Sequence, residues 1–105
     1  MKARKAKPAA YTPRPLDTSG VKLPADLLKM SGDLAKNTHE VWARQRFAEG
    51  WKHGAERSDR LREHPCLIPY EDLPENEKEY DRNTALETLR FILCQGYKIT
   101  HHSSP

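Results

Sequence analysis

The sequence has few cysteines that could cross-link it and no long apolar run that could span a membrane. Its two cysteines, Cys66 and Cys94, lie 28 positions apart and form no CxxC pair, so a disulfide framework or a cysteine-based zinc site has no support. No run approaches the ~20 consecutive apolar residues of a membrane-spanning helix. The basic start of the chain is not followed by the apolar block, ~7 to 15 residues long, of a secretory signal. We therefore expect a cytoplasmic protein without a membrane segment.

Motifs for catalysis and for metal binding are missing as well. His39-Glu40 is not followed by a second histidine at position 43, so the zinc-binding His-Glu-x-x-His pattern is absent. Gly50 and Gly54 are not followed by the lysine and serine of a phosphate-binding loop. A metal site needs three or four converging ligands, and no such set is recognisable. We expect a non-enzymatic protein with no metal and no cofactor.

The excess of positive charge is confined to one end of the chain. The formal net charge is +3 over 105 residues. The first 20 residues carry one acid, Asp17, against five basic side chains, namely Lys2, Arg4, Lys5, Lys7 and Arg14. The other 85 residues hold 13 basic and 14 acidic side chains, so no basic footprint for nucleic acid is expected on the folded part. The basic stretch is either a solubilising arm or a polyanion-binding arm.

Three segments follow from this composition. Residues 1–10, rich in lysine, alanine and proline, predict a disordered basic tail. Residues 11–100 predict one small domain, and residues 101–105 an untied C-terminal end. Within the domain, residues 11–20 are expected to lie along a surface as a strap, because their prolines favour extended geometry.

Hydrophobic periodicity predicts two principal helices. Apolar residues at helical spacings indicate one helix over residues 24–49, ended by Gly50, and a second that begins at Pro74 and is ended by Gly96. The irregular segment 51–69 predicts loops with short extended pairs, and residues 98–100 a short strand. Because Leu23-Pro24 recurs as Leu73-Pro74, the helices are expected to pack as an antiparallel pair. The fold class is therefore mainly α, with minor short β-strands.

One stripe of the first helix has the chemistry of a ligand site. His39, Trp42 and Arg46 fall at about 0, 300 and 340 degrees around a helix of ~3.6 residues per turn. A nucleotide base stacks on an aromatic ring, a guanidinium binds phosphate oxygens, and an imidazole supplies a donor or acceptor. If the stripe points outward, it predicts a site for a nucleotide-derived molecule. If Trp42 is enclosed by Leu34, Leu89 and Ile92, it is a core residue and the protein is a scaffold.

Five further side chains are secondary candidates for ligand contact. They combine aromatic rings with basic groups in or near the irregular segment: Trp51, Arg57, His64, Tyr70 and Arg82. For each, a structural role competes with ligand binding. The charged members are equally typical of solvated ion pairs, and an aromatic residue after a helix-ending glycine is typical of a cap contact.

Several spaced motifs resemble those of a known family. They are YTPRPLDTS at 11–19, LP at 23–24, LAKNTHEVWARQR at 34–46, GW at 50–51, HPCLIPY at 64–70, LPE at 73–75, YDR at 80–82, TALETL at 84–89 and GY at 96–97. Together they resemble the RyR repeat domain, the cytosolic repeat found in tandem pairs in ryanodine receptor calcium-release channels and as stand-alone copies in bacterial and phage proteins. The resemblance covers about residues 11 to 99. It implies a small, mainly helical repeat used for contacts and regulation.

The resemblance also bears on assembly. The channel repeats come in pairs, whereas this chain has one copy, so a homodimer would restore the paired arrangement. Trp42 and Arg46 of both copies would then flank the axis, which suits an adenine nucleotide or a two-fold symmetric signalling nucleotide. The alternative function is a structural protein–protein interaction domain with no small-molecule ligand.

Overall fold

Two long helices and a short paired segment make up most of the fold. The structure is a computed structural model that describes residues 10–102. Its helices are α1 (Ala25–Lys29), α2 (Ser31–Ala48) and α3 (Glu75–Cys94), with a single 3-10 turn at Tyr70–Asp72. Its strands are β1 (Lys52–His53) and β2 (Glu63–His64). The mainly α fold with minor strands is confirmed. The predicted basic tail, apart from Ala10, and residues 103–105 lie outside the described residues.

The first predicted helix is in fact two helices. Met30 ends α1 and precedes α2, with φ −84° and ψ 0°, and its N–H donates to the carbonyl of Leu27 at 3.0 Å. This tight bond three residues back closes α1, and the Met30 carbonyl then accepts the bond from Leu34 that opens α2, at 2.9 Å. Ser31 and Gly32, which follow the break, both form helix less readily than alanine. The expectation of one uninterrupted helix is therefore wrong.

Helices α2 and α3 end where the glycines that follow them predict, at Gly50 and Gly96. Gly50 and Gly96 both adopt the left-handed conformation, with φ of 88° and 92°. After α2, the N–H of Gly50 donates to the carbonyl of Phe47 and the N–H of Trp51 to that of Arg46, both at 3.0 Å. This pair of hydrogen bonds is the Schellman motif. It turns the chain so that Trp51 lies against the last turn of α2.

The segment after α2 folds back on itself. Strands β1 and β2 pair in parallel, with Lys52 opposite Glu63 and His53 opposite His64. At Gly54 the backbone lies so close to β2 that an added Cβ would be 2.6 Å from the Cβ of Glu63. The expected short extended pairs are confirmed, whereas the strand expected at residues 98–100 is not formed.

The core is small. Part of it is formed by the connecting segment, residues 49–74, which joins α2 to α3. Helix α2 packs against α3 and against the 3-10 turn. Buried Ala35, Tyr70 and Leu73 form a cluster, on which Cys66 and Ile68 pack. The strap is fixed by buried Thr18, whose hydroxyl donates to the Glu87 carboxylate on α3 at 2.9 Å. Among the helices of residues 10–102, none has the length and apolarity to cross a bilayer.

Candidate functional site

A groove between α2 and α3 contains Trp42, the central residue of the predicted stripe. Its volume is about 300 Å³. The residues that give it its chemistry are His39, Trp42, His64, Glu77, Tyr80 and Asp81. Trp42 is half-buried, and its ring neighbours are His39, His64 and Arg46. Trp42 is thus part of an open groove wall.

His39 does not point outward as the helical stripe predicted. It is only 3% exposed, and its Nε2 lies 2.7 Å from the carbonyl oxygen of Ile68. Because a carbonyl only accepts, Nε2 carries the proton and donates it. The ring centroid lies 5.6 Å from that of Trp42 and 6.1 Å from that of Tyr70. His39 therefore fastens the segment before the 3-10 turn onto α2 and forms part of the groove floor.

Arg46 lies next to two indole rings, and one of them, Trp42, lines the groove. Its guanidinium carbon is 4.9 Å from the ring centroid of Trp51 and 5.8 Å from that of Trp42. Its ion pair with Glu49 is long, with 3.8 Å between the nitrogen and the oxygen. The Schellman turn after α2 brings Trp51 into this position. We call Trp42, Arg46 and Trp51 the aromatic–arginine edge.

His64 links the aromatic–arginine edge to the groove. Its ring meets Trp42 edge-on, with centroids 5.0 Å apart, and its Nδ1 accepts the backbone N–H of Cys66 at 3.0 Å. Burial, followed by the charges of Arg57 and Arg46, lowers the pKa of His64. The ring is therefore neutral at pH 7. Since Nδ1 accepts, the proton resides on Nε2, which is a donor.

The opposite side of the groove is acidic. Glu77 and Asp81 lie one turn apart on α3 and so share a face. Burial raises the pKa of the Asp81 carboxyl, and burial with the nearby charges of Glu77 and Asp81 raises that of the Cys66 thiol. The sequence reasoning missed Glu77 and Tyr80 as groove residues. The available signal was the spacing of Glu77 and Asp81 by four, which places both on one face of a helix.

The secondary candidates separate into two groups. Trp51 and His64 join the site, and the Arg57 guanidinium carbon lies 6.0 Å from the Trp51 centroid while the side chain is paired with Asp59. Tyr70 is a buried core residue. Arg82 is paired with two carboxylates of its own helix, Glu75 and Glu79, and takes no part in the groove.

The site has no recognisable metal centre. Across residues 10–102, no three histidine, cysteine, aspartate or glutamate side chains converge closely enough to hold a metal ion. What converges is a half-buried indole, a stacked guanidinium, a neutral imidazole donor and two carboxylates. The interactions that this set of groups can offer are stacking, charge and hydrogen bonding.

Comparison with protein families assigns the whole domain. The model of the RyR domain matches residues 11–101, which is most of the chain. The match confirms the resemblance carried by the spaced motifs. The RyR domain is not a known catalytic family and is typical of interaction and ligand-binding modules. With its two long helices and the groove between them, this chain belongs to the RyR domain family.

Proposed function

We propose that this protein is a non-enzymatic, cytoplasmic binding module for a nucleotide-derived small molecule, which it senses or sequesters. The observation that carries the proposal is the position of Arg46 next to Trp42 and Trp51, with Trp42 also forming the wall of an open groove. An aromatic ring that lines the groove and a guanidinium next to that ring suit the base and the phosphate of a nucleotide.

The energetics favour this ligand class. A base stacked on an aromatic side chain contributes ~1–3 kcal/mol, and a guanidinium binds phosphate through two parallel hydrogen bonds. The groove, at about 300 Å³, is at the small end of the ~300–1,000 Å³ range of ligand pockets. It therefore holds a nucleoside-sized fragment, and the phosphate lies outside it against Arg46, with Arg57 behind Trp51.

The histidines have different roles in this proposal. His64 takes the hydrogen-bonding role that the helical stripe assigned to His39, because its Nε2–H is the donor beside Trp42. His39 acts as a positioning residue through its bond to the Ile68 carbonyl. Losing it would displace the segment that carries Cys66 as well as the groove floor.

We also propose that two copies associate about a two-fold axis next to the aromatic–arginine edge. A groove of this volume leaves a base or phosphate partly uncovered, and a second copy would cover it with its own Trp42 and Arg46. The test is the solution mass with and without nucleotide. A monomer under both conditions, at protein concentrations well above the nucleotide Kd, would contradict the dimer and leave the binding site intact.

One observation favours a second candidate function, a protein-interaction module without a small-molecule ligand. Glu77 and Asp81 share the groove with Trp42 and Tyr80, and carboxylates with aromatic rings also suit a cationic side chain. In that case, a lysine or arginine of a partner protein would enter the groove. Binding would then require Glu77 and Asp81 and be indifferent to Arg46.

Isothermal titration with ATP, ADP-ribose and cyclic dinucleotides tests the proposed function, at ~100 μM protein to detect affinities into the micromolar range. Arg46→Gln should weaken binding about tenfold or more, because a charge-assisted phosphate contact is lost. The matched control is Arg44→Gln, an exposed arginine on α2 about 160 degrees away around the helix axis. No heat from any nucleotide with the wild-type protein, or equal weakening by both variants, would refute the proposal.

A further inference from the structure

His64 holds part of the connecting segment in place through a hydrogen bond that requires a neutral ring. Its Nδ1 accepts the backbone N–H of Cys66 at 3.0 Å. A protonated imidazole carries a hydrogen on both nitrogens and accepts from neither. Protonation of His64 would therefore place two donors face to face and break this bond.

The other histidine of the groove provides a contrast. His39 donates from Nε2 to the carbonyl of Ile68 at 2.7 Å. An imidazole with its proton on Nε2 keeps that donor when a second proton binds at Nδ1. The bond of His39 therefore survives a fall in pH. Of the two histidines that line the groove, only His64 has an anchoring bond that protonation breaks.

The same bond fixes one wall of the groove. The turn is tight, because the acceptor ring belongs to a residue only two positions before the donor, Cys66. Both residues line the groove, and the His64 ring meets Trp42 edge-on with centroids 5.0 Å apart. If the ring turns away from the Cys66 N–H, Trp42 loses this contact and the groove loses the wall that His64 forms.

The surroundings of His64 disfavour a positive charge on its ring. The charged and titratable groups around it are Arg46 of α2, His53 of β1, Arg57 and Asp59 of the connecting segment, and Glu77 of α3; His39 and Asp81 line the same groove. Burial and the two arginines lower the pKa of His64, and the carboxylates of Asp59 and Glu77 offset this only in part. The ring is therefore neutral and bonded at pH 7, and it takes up a proton below about pH 6.5.

We propose that His64 is a proton-operated switch of the groove: protonation breaks its bond to the Cys66 N–H, releases the turn at residues 64–66 and lowers the affinity of the groove for its ligand. The release of the turn is independent of any ligand. The effect on affinity rests on the proposed function, in which the Nε2–H of neutral His64 is the donor beside Trp42. Protonation of a histidine at mildly acidic pH is a common way of changing a packed contact.

Amide hydrogen exchange followed by nuclear magnetic resonance, on the protein without ligand, tests the release of the turn. Between about pH 7.5 and 5, the exchange rate of the Cys66 amide, corrected for the pH dependence of chemical exchange, should rise about three- to tenfold, as for the loss of one hydrogen bond. In His64→Asn the side-chain oxygen replaces Nδ1 as the acceptor and does not titrate, so the corrected rate should stay constant. The matched control is His53→Asn, which removes an exposed histidine of the neighbouring strand and should respond as the wild type does.

Three results would overturn the switch. The first is a corrected Cys66 exchange rate that is the same at both ends of the pH range in the wild type. The second is an equal rise in His64→Asn, which would assign the change to another group. The third is a loss of protection throughout α2 and α3 instead of at residues 64–66, because the domain would then unfold as a whole.

Isothermal titration at about pH 7.5 and 5.5 measures the coupling to the ligand, with the tightest-binding of ATP, ADP-ribose and the cyclic dinucleotides. The ratio of the acidic to the neutral Kd should be about threefold or more larger in the wild type than in His64→Asn, a comparison that cancels the nucleotide's own titration. Tighter binding in acid, as a phosphate attracted to protonated His64 would give, or the same ratio in both proteins, would overturn the coupling. Absence of nucleotide binding at both pH values would overturn the proposed function and the coupling, while the exchange experiment still decides the release of the turn.

Discussion

Removal of the His39 side chain tests the central feature of the site, namely that this residue holds the connecting segment onto α2. In His39→Ala, the bond to the Ile68 carbonyl is lost, at about 1 kcal/mol net. Emptying the volume of the buried ring adds about 2 kcal/mol, at the lower end of the range for core truncations to alanine. The total, about 3 kcal/mol, is a large share of the ~5–15 kcal/mol that stabilises a whole domain.

The assay is thermal unfolding followed by tryptophan fluorescence, since Trp42 adjoins His39. At about 4–8 °C per kcal/mol for a domain of this size, Tm should fall by roughly 12 to 24 °C. His39→Gln retains an N–H donor of similar reach and should recover at least half of the loss. The exposed neighbour Glu40 provides the control, because Glu40→Ala should change stability by less than ~0.5 kcal/mol. A His39→Ala protein as stable as this control would refute the anchoring role.

Three other predictions address the parts of the fold that position the groove. Gly54→Ala should cost about 1–3 kcal/mol, because its new Cβ would lie 2.6 Å from the Cβ of the paired strand; Gly32→Ala, with nothing within 4 Å of its new Cβ, should be neutral or stabilising in the same melting experiment. Thr18→Val removes the strap's bond to α3 and should speed limited proteolysis within residues 11–20 without unfolding the helices; an unchanged cleavage rate would contradict this. Because the folded-state pKa of His64 is lowered, the unfolded chain binds the proton more readily, so this residue destabilises the fold as pH falls through about 6.5. His64→Gln should lose that part of the pH dependence in urea titrations between about pH 5 and 7.5, and an unaltered slope would contradict it.

Local sequence signals determined the secondary structure well. Gly50 and Gly96 ended the two long helices because a left-handed residue is needed there and glycine adopts it without steric cost. The motifs spread over residues 11–99 were sufficient to identify the RyR domain. Short pairs in the irregular segment were also predictable from its composition. The antiparallel arrangement of the two long helices stays a prediction.

Tertiary structure decided which residues of the predicted stripe on α2 are buried and which are accessible. Helical spacing placed His39, Trp42 and Arg46 on one stripe, but periodicity gives no information about what covers that stripe. The cover is a segment 29 residues away, whose Ile68 carbonyl binds His39. That contact depends on the path of the whole connecting segment.

The same physical reason explains the acidic side of the groove. Glu77 and Asp81 look like ordinary solvated charges when α3 is considered alone, because a helix with acids one turn apart usually exposes them. They become groove residues only because Trp42 and His39 of α2 line the same groove. The sequence by itself thus determined the elements, their ends and the family, while the packing of distant segments decided which side chains share a groove.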